Sequence, residues 1–107
     1  MKLYIDTSSS ENTVVRLGTA ELVRSSAVLH SQVVLPMVEE LLGSQKVALD
    51  AITEIEVKEG PGSFTGLRVG VTIANTLGFV LKVPVNGKEV WKLDIVEPIY
   101  EWMGKSA

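Results

Sequence analysis

Three groups of residues have the types and spacing to do chemistry. The run Gly60-Pro61-Gly62-Ser63-Phe64-Thr65-Gly66-Leu67-Arg68 follows a β-compatible stretch and opens a helical pattern. There, backbone N–H groups and the helix dipole can hold an anion, so Gly60, Gly62, Ser63, Thr65 and Gly66 form a candidate phosphate loop. It is not a Walker A sequence, because no Gly-Lys-Ser/Thr closes it, and its glycines have the wrong spacing for a dinucleotide fingerprint. A tight turn with Ser63 as helix cap accounts for the same residues without a ligand. Asp6 ends the first apolar run and Glu59 the fourth. Side by side, and joined by Asp94, they could bind Mg²⁺ for phosphodiester hydrolysis of the ribonuclease H-like type. The competing assignment bonds Asp6 to the turn that follows it and leaves Glu59 in solvent. His30 stands before Ser31-Gln32 without the nucleophile and orienting acid of a triad, so a capping or interface role is expected.

Composition narrows these choices. The chain has 107 residues, no Cys, one His and a net charge of −3. That length suits one small domain, which buries roughly 65% of its unfolded surface. The absence of Cys excludes disulfides, thiol nucleophiles and zinc-thiolate sites. The acidic balance argues against autonomous nucleic-acid binding, which needs many Lys/Arg facing phosphates, and so counts against the nuclease. No metal site and no cofactor are expected. The N-terminal residues turn polar after Ile5, unlike a signal peptide. Residues 67–85 are interrupted by Arg68, Thr72, Asn75, Thr76 and Lys82, which argues against a membrane span. A cytoplasmic location is the default.

The elements that must position these groups follow from pattern. Residues 2–6, 13–17 and 21–26 read as three strands with short connections, an antiparallel meander. Residues 31–42 carry Val34, Leu35, Val38, Leu41 and Leu42 at helical spacing. Pro36 suggests that regular helix begins near Leu35, and Gly43 is the expected stop. Asp50 is a candidate cap for a short helical turn. Residues 52–58 read as a strand with Ile55 and Val57 on one face, residues 64–81 as a long helix and residues 83–85 as a last strand. Strand–helix–strand implies a parallel pair with a right-handed crossover. The order β-β-β-α-β-α-β predicts an α/β fold, a mixed sheet covered by helices, as in ribonuclease H-like and actin-like ATPase lobes. Residues 88–107 form a tail expected to be partly helical.

On a wheel of about 100° per residue, Thr65, Arg68, Thr72, Asn75, Thr76 and Lys82 share one sector with Phe79 in its middle. The rest of that helix is apolar or Gly, a wider apolar face than one sheet needs. Gly66, Gly70, Ala74 and Gly78 recur every four residues. This stripe permits close backbone approach, either to the chain's own sheet or to a partner helix. The first helix is also apolar over more than half its circumference, so two such helices on one face suggest an oligomer or heteromer.

Three segments resemble one family. They are Ile5-Asp6-Thr7-Ser8, then His30-Ser31-Gln32 with Leu35-Pro36-Met37 and Glu40-Leu41-Leu42, and then the highly specific run from Gly60 to Gly70. Together they resemble the TsaB (YeaZ) family of bacterial tRNA threonylcarbamoyladenosine biosynthesis, over residues 2–87. The resemblance implies an actin-like ATPase fold without catalysis of its own. It implies a scaffold that pairs with TsaD, which carries the metal and transfers threonylcarbamoyl to adenosine 37 of tRNA. It implies contact with the ATPase TsaE, a homodimer in isolation, and tRNA reached only through the complex. Both pairings are implied to use the two helices. Here that surface corresponds to His30, Gln32, Leu35, Pro36, Met37, Glu39, Arg68, Gly70, Thr72, Ala74, Asn75 and Phe79.

Members of the family have a second lobe after the strand matching residues 83–85. Here only a short tail follows, in which Glu97-Pro98-Ile99-Tyr100 is similar to the closing segment of longer members. The expectation is therefore a single lobe, residues 1–87, with a tail at 88–107. Nucleotide binding between lobes, and any TsaE contact through the second lobe, are not expected of it. Glu59 departs from the small or neutral residue expected before Gly-Pro-Gly.

Overall fold

The structure, a computed structural model, describes residues 1–25 and 30–99, with backbone only at His30 and Ser31. Strands β1 (Lys2–Asp6), β2 (Asn12–Leu17) and β3 (Ala20–Ser25) form the antiparallel meander. Strand β4 (Glu54–Val57) joins β1 in parallel, so the sheet order is β3-β2-β1-β4. Helices α1 (His30–Gln45) and α2 (Phe64–Leu81) complete the mixed α/β lobe that the element order predicts.

Period-two alternation decides which sheet face is covered. Leu3, Ile5, Val15, Leu17, Ile55 and Val57 are buried. They form one core cluster with Val34, Met37, Val38 and Leu41 of α1 and Val71 and Ala74 of α2. The alternate positions carry charge instead. Lys2 pairs with Glu56, and Arg16 pairs with Glu21 while lying 4.8 Å over the Tyr4 ring. These exposed pairs add little stability. They do show that the second face is built for water and paired charge rather than for an apolar layer.

Several boundaries differ from the sequence expectation. Helix α1 starts at His30 and carries Pro36 inside it. An interior proline costs about 3 kcal/mol. Burial of Val34, Met37, Val38 and Leu41 outweighs it, at about 1.5–3 kcal/mol per side chain. Gly43 does not stop this helix. The left-handed position falls on Lys46 (φ 55°), and Val47 N–H returns to the Leu42 carbonyl at 3.1 Å. Helix α2 ends in the same way, with Lys82 at φ 55° and Val83 N–H on the Gly78 carbonyl at 3.1 Å. A lysine thus fills each site where a glycine would be expected, and its charge suits the negative end of the helix. Asp50 lies within the 3₁₀ turn Leu49–Ala51, which has no side-chain cap.

The last strand is reduced to a bridge between Val85 and Ile55, because Asn86 and Gly87 turn the chain back with positive φ. The Asn86 amide finishes the ladder itself. Its oxygen accepts from Val57 N–H at 2.8 Å, and its nitrogen donates to the Val57 carbonyl at 3.0 Å. A 3₁₀ turn at Val90–Lys92 follows, and Val90 and Val96 reach the core. Ser26, the expected end of the third strand, and residues 100–107 lie outside the described residues.

Candidate functional site

The glycine-rich run and the segment Asp6–Ser8 meet at the C-terminal end of β1 and the start of α2. Ser63 caps α2 as expected, its hydroxyl accepting from Gly66 N–H at 3.3 Å. Ser63 N–H donates to the Ser8 carbonyl at 2.7 Å. A Cβ on Gly62 would lie 2.6 Å from that same carbonyl. The Gly60-Pro61 peptide is cis. The turn lies against the Ser8 backbone, and Gly62 serves that contact. Ser63 and the Ser8 carbonyl are engaged with each other's segment rather than turned outward to a ligand.

Thr7 continues this joint. It is fully buried, and its hydroxyl donates to the Gly66 carbonyl at 2.5 Å. A side chain at Gly70 would collide with that hydroxyl. At the other end of the stripe, a side chain at Gly78 would collide with Val85 and Val90. The small residues of α2 thus face the chain's own sheet and tail. Of the two readings of the stripe, internal packing is the one the structure realises.

The carboxylates are likewise bound locally. Asp6 accepts from Ser8 N–H at 2.9 Å, Ser8 hydroxyl at 2.6 Å and Tyr4 hydroxyl at 3.3 Å. Burial pushes the Asp6 carboxyl up, but the Ser8 and Tyr4 bonds and the charge of Lys58 together hold it below its ordinary value. Burial, followed by the Asp6 charge, raises the Tyr4 hydroxyl. Glu59 accepts from the Asn86 amide at 2.6 Å. No group of three or more His, Cys, Asp or Glu that could hold a metal ion occurs among the described residues. The depression on the sheet face beside them, about 620 Å³, is lined in part by Glu54 and Lys58 and in part by Tyr4, Glu56, Glu59 and Asn86, and these last four pair with one another or with neighbours.

The expected interface residues divide into two sets. Gln32, Leu35, Pro36 and Glu39 on α1, and Arg68, Thr72 and Phe79 on α2, are exposed. Met37, Gly70 and Ala74, expected at the interface as well, are buried in the lobe's own core. Asn75 is half-buried, its amide spent on the backbone of Val96 at 2.8 and 3.1 Å. The side chain of His30 lies outside the described residues.

What remains on the outer face of α2 is apolar for an exposed surface. Phe79 is 55% exposed and Val80 66%. A groove of about 340 Å³ is lined by Thr65, Arg68, Val69, Thr72 and Ile73. By length and composition alone, α2 is apolar enough to cross a membrane. In the fold it is a sheet-packed helix with Gly66, Leu67, Gly70, Val71, Ala74 and Gly78 buried.

Comparison with known proteins settles the family. Residues 24–88 match the family described as TsaD, tRNA N6-adenosine threonylcarbamoyltransferase. The chain belongs to this family, on its TsaB (YeaZ) side. It is 37% identical over 92 residues to the tRNA threonylcarbamoyladenosine biosynthesis protein TsaB of Bacillus subtilis, covering 78% of this chain and 38% of that protein. It is 35% identical over 86 residues to TsaB of Haemophilus influenzae, covering 78% and 36%. It superposes on YeaZ from Pseudomonas aeruginosa with a TM-score of 0.65 at 34% identity, covering 78% of this chain and 41% of that one. The chain therefore spans about two fifths of the length of these relatives. The match includes both helices and the glycine-rich run.

Proposed function

We propose that this chain is a non-catalytic, TsaB-like accessory subunit of tRNA threonylcarbamoyladenosine synthesis. It binds a TsaD-like protein and stabilises that partner's active conformation. The outer faces of α1 and α2 form the contact, and tRNA is engaged through the complex. The observation that carries this reading is the outward face of α2, where Phe79, Val80 and the groove at Thr65–Arg68–Thr72 remain uncovered although the glycine stripe is filled. Exposed apolar patches of this kind mark protein contacts. The same face serves a homodimer when the partner is absent. A TsaE-like ATPase is a further candidate member of the assembly.

Two local observations also favour a scaffold over the rival chemistries. Asp6 and Glu59 of the nuclease reading are bound to Ser8, Tyr4 and Asn86, and Gly62 and Ser63 of the anion loop lie against the Ser8 backbone. The test is a reconstituted threonylcarbamoylation assay with a TsaD-like protein from the same source. Modification that depends on this chain supports the proposal, and full modification without it rejects it.

A further inference from the structure

Asn75 is the starting point, because it performs neither of the tasks its position offers. It neither bonds its own helix backbone, as Thr76 does toward the Thr72 carbonyl, nor faces solvent fully. Its amide nitrogen donates to the Val96 carbonyl at 2.8 Å, and its oxygen accepts from Val96 N–H at 3.1 Å. One side chain thus reads both backbone groups of a single extended residue, the pattern a neighbouring strand would present.

Two further contacts continue the line. The side chain of Val96 is buried to 2% in the apolar cluster. Ile99 N–H donates to the Glu59 carbonyl at 2.7 Å. Gly60, at φ +148°, is bare where the Ile99 carbonyl passes, and a Cβ there would lie 2.6 Å from that oxygen. The flank of α2 and the Gly60 turn therefore hold residues 96–99 by one backbone clamp, one apolar socket and one carbonyl at the far end, the contacts of a peptide groove filled by the chain itself. By contrast, Leu93, Ile95 and Ile99 hold their side chains largely in solvent. The segment's attachment rests on backbone bonds and on a single anchor.

We propose that this groove is a binding site for an extended peptide, and that residues 93–99 are its resident ligand. The ligand class is a segment with an apolar β-branched anchor at the Val96 place and free backbone N–H groups there and at the Ile99 place. Attachment within the chain gives the resident segment a high effective concentration, so a free peptide binds well only when the resident is weakened. Asn75 and Gly60 are the residues that define the site. This assignment concerns a different surface from the outer face of α2 and does not depend on it.

The test uses the full chain carrying Val96→Asp, which weakens the anchor and leaves the groove intact. A fluorescent peptide of residues 93–99 with the native sequence is titrated by anisotropy, with folding followed by circular dichroism. Saturable binding is expected, at least tenfold tighter than to the unaltered chain and at least tenfold tighter than to Val96→Asp/Asn75→Ala. A folded Val96→Asp chain that binds no peptide overturns the proposal. If that variant does not fold, hydrogen exchange on the unaltered chain decides. Amides of Val96 and Ile99 that exchange at least tenfold faster than those of β4 and the middle of α2 support a docked segment. Exchange at the same rate makes the segment an inseparable part of the core and overturns the site.

Discussion

Thr7 and Gly70 occupy complementary space: the threonine hydroxyl reaches the Gly66 carbonyl at 2.5 Å only because the glycine carries no side chain. Gly70→Ala places a methyl group against that hydroxyl and should cost about 1–3 kcal/mol by overpacking. Thr7→Ala removes the obstacle together with one buried hydrogen bond. The double variant should then lose less than the two single losses combined, by at least about 0.5 kcal/mol. Urea denaturation of the four proteins measures this coupling.

Asn86 closes the outer edge of β4 by imitating a strand backbone, and Asn86→Asp should disrupt it. The carboxylate keeps an acceptor for Val57 N–H but loses the donor for the Val57 carbonyl, and it faces Glu59. A loss of about 2–3 kcal/mol is expected at pH 7. The new carboxylate is disfavoured when charged, so its pKa rises on folding. The deficit should shrink as pH falls toward about 4, where the group protonates. Stability curves of both proteins between pH 7 and pH 4 show whether it does.

Asp6 should behave in the opposite sense. Its folded pKa is lowered, so its charge stabilises the lobe above the unfolded value of about 3.9 and ceases to do so as pH falls through the folded value. Asp6→Asn should be less stable than the native chain by up to about 1 kcal/mol at pH 6, the effect being limited by partial exposure. The gap should close as pH falls below about 4. Thermal or urea unfolding at three pH values is sufficient.

Much of the fold was legible in the sequence because its cues were local. Alternation in residues 2–6 and 13–17, and apolar spacing in α1 and α2, set the elements and their order along the chain. Ser63 as a cap and Ile55 with Val57 on one face followed from the same kind of pattern. The ends of α1 were not legible, whereas α2 keeps the expected bounds 64–81. Left-handed lysines at Lys46 and Lys82 replace the glycine that a stop signal leads one to expect, and core burial overrides Pro36. The candidate surface was legible as a sector of α2 but not in its inner members. A four-residue stripe of Gly and Ala permits close approach by any backbone, and only the position of Thr7, Val85 and Val90 shows that this chain's own sheet and tail fill it. Asn75 was placed in the outward sector by its angle on the wheel. What that angle cannot show is that residues 93–99 run back along the helix to meet it.

The division of α2 into a filled inner face and an open outer face gives a sharper mutational test than the glycines do. Phe79→Asp, Val80→Asp and Thr72→Arg lie on the exposed side. Each should change stability by no more than about 0.5 kcal/mol, the ordinary range for surface substitutions. Gly70→Leu, by contrast, should lower helical content because it disrupts the Thr7 joint. Circular dichroism with urea titration separates the two classes.

The central claim is that the outer face of α2 holds a TsaD-like partner. Size-exclusion chromatography with light scattering, on the full chain mixed with the TsaD-like protein of the same source, tests it most directly. The account predicts a stable complex that Phe79→Asp abolishes while that variant keeps its native circular dichroism. A folded Phe79→Asp/Val80→Asp chain that assembles as well as the native one, or a native chain that does not associate at all, would contradict it.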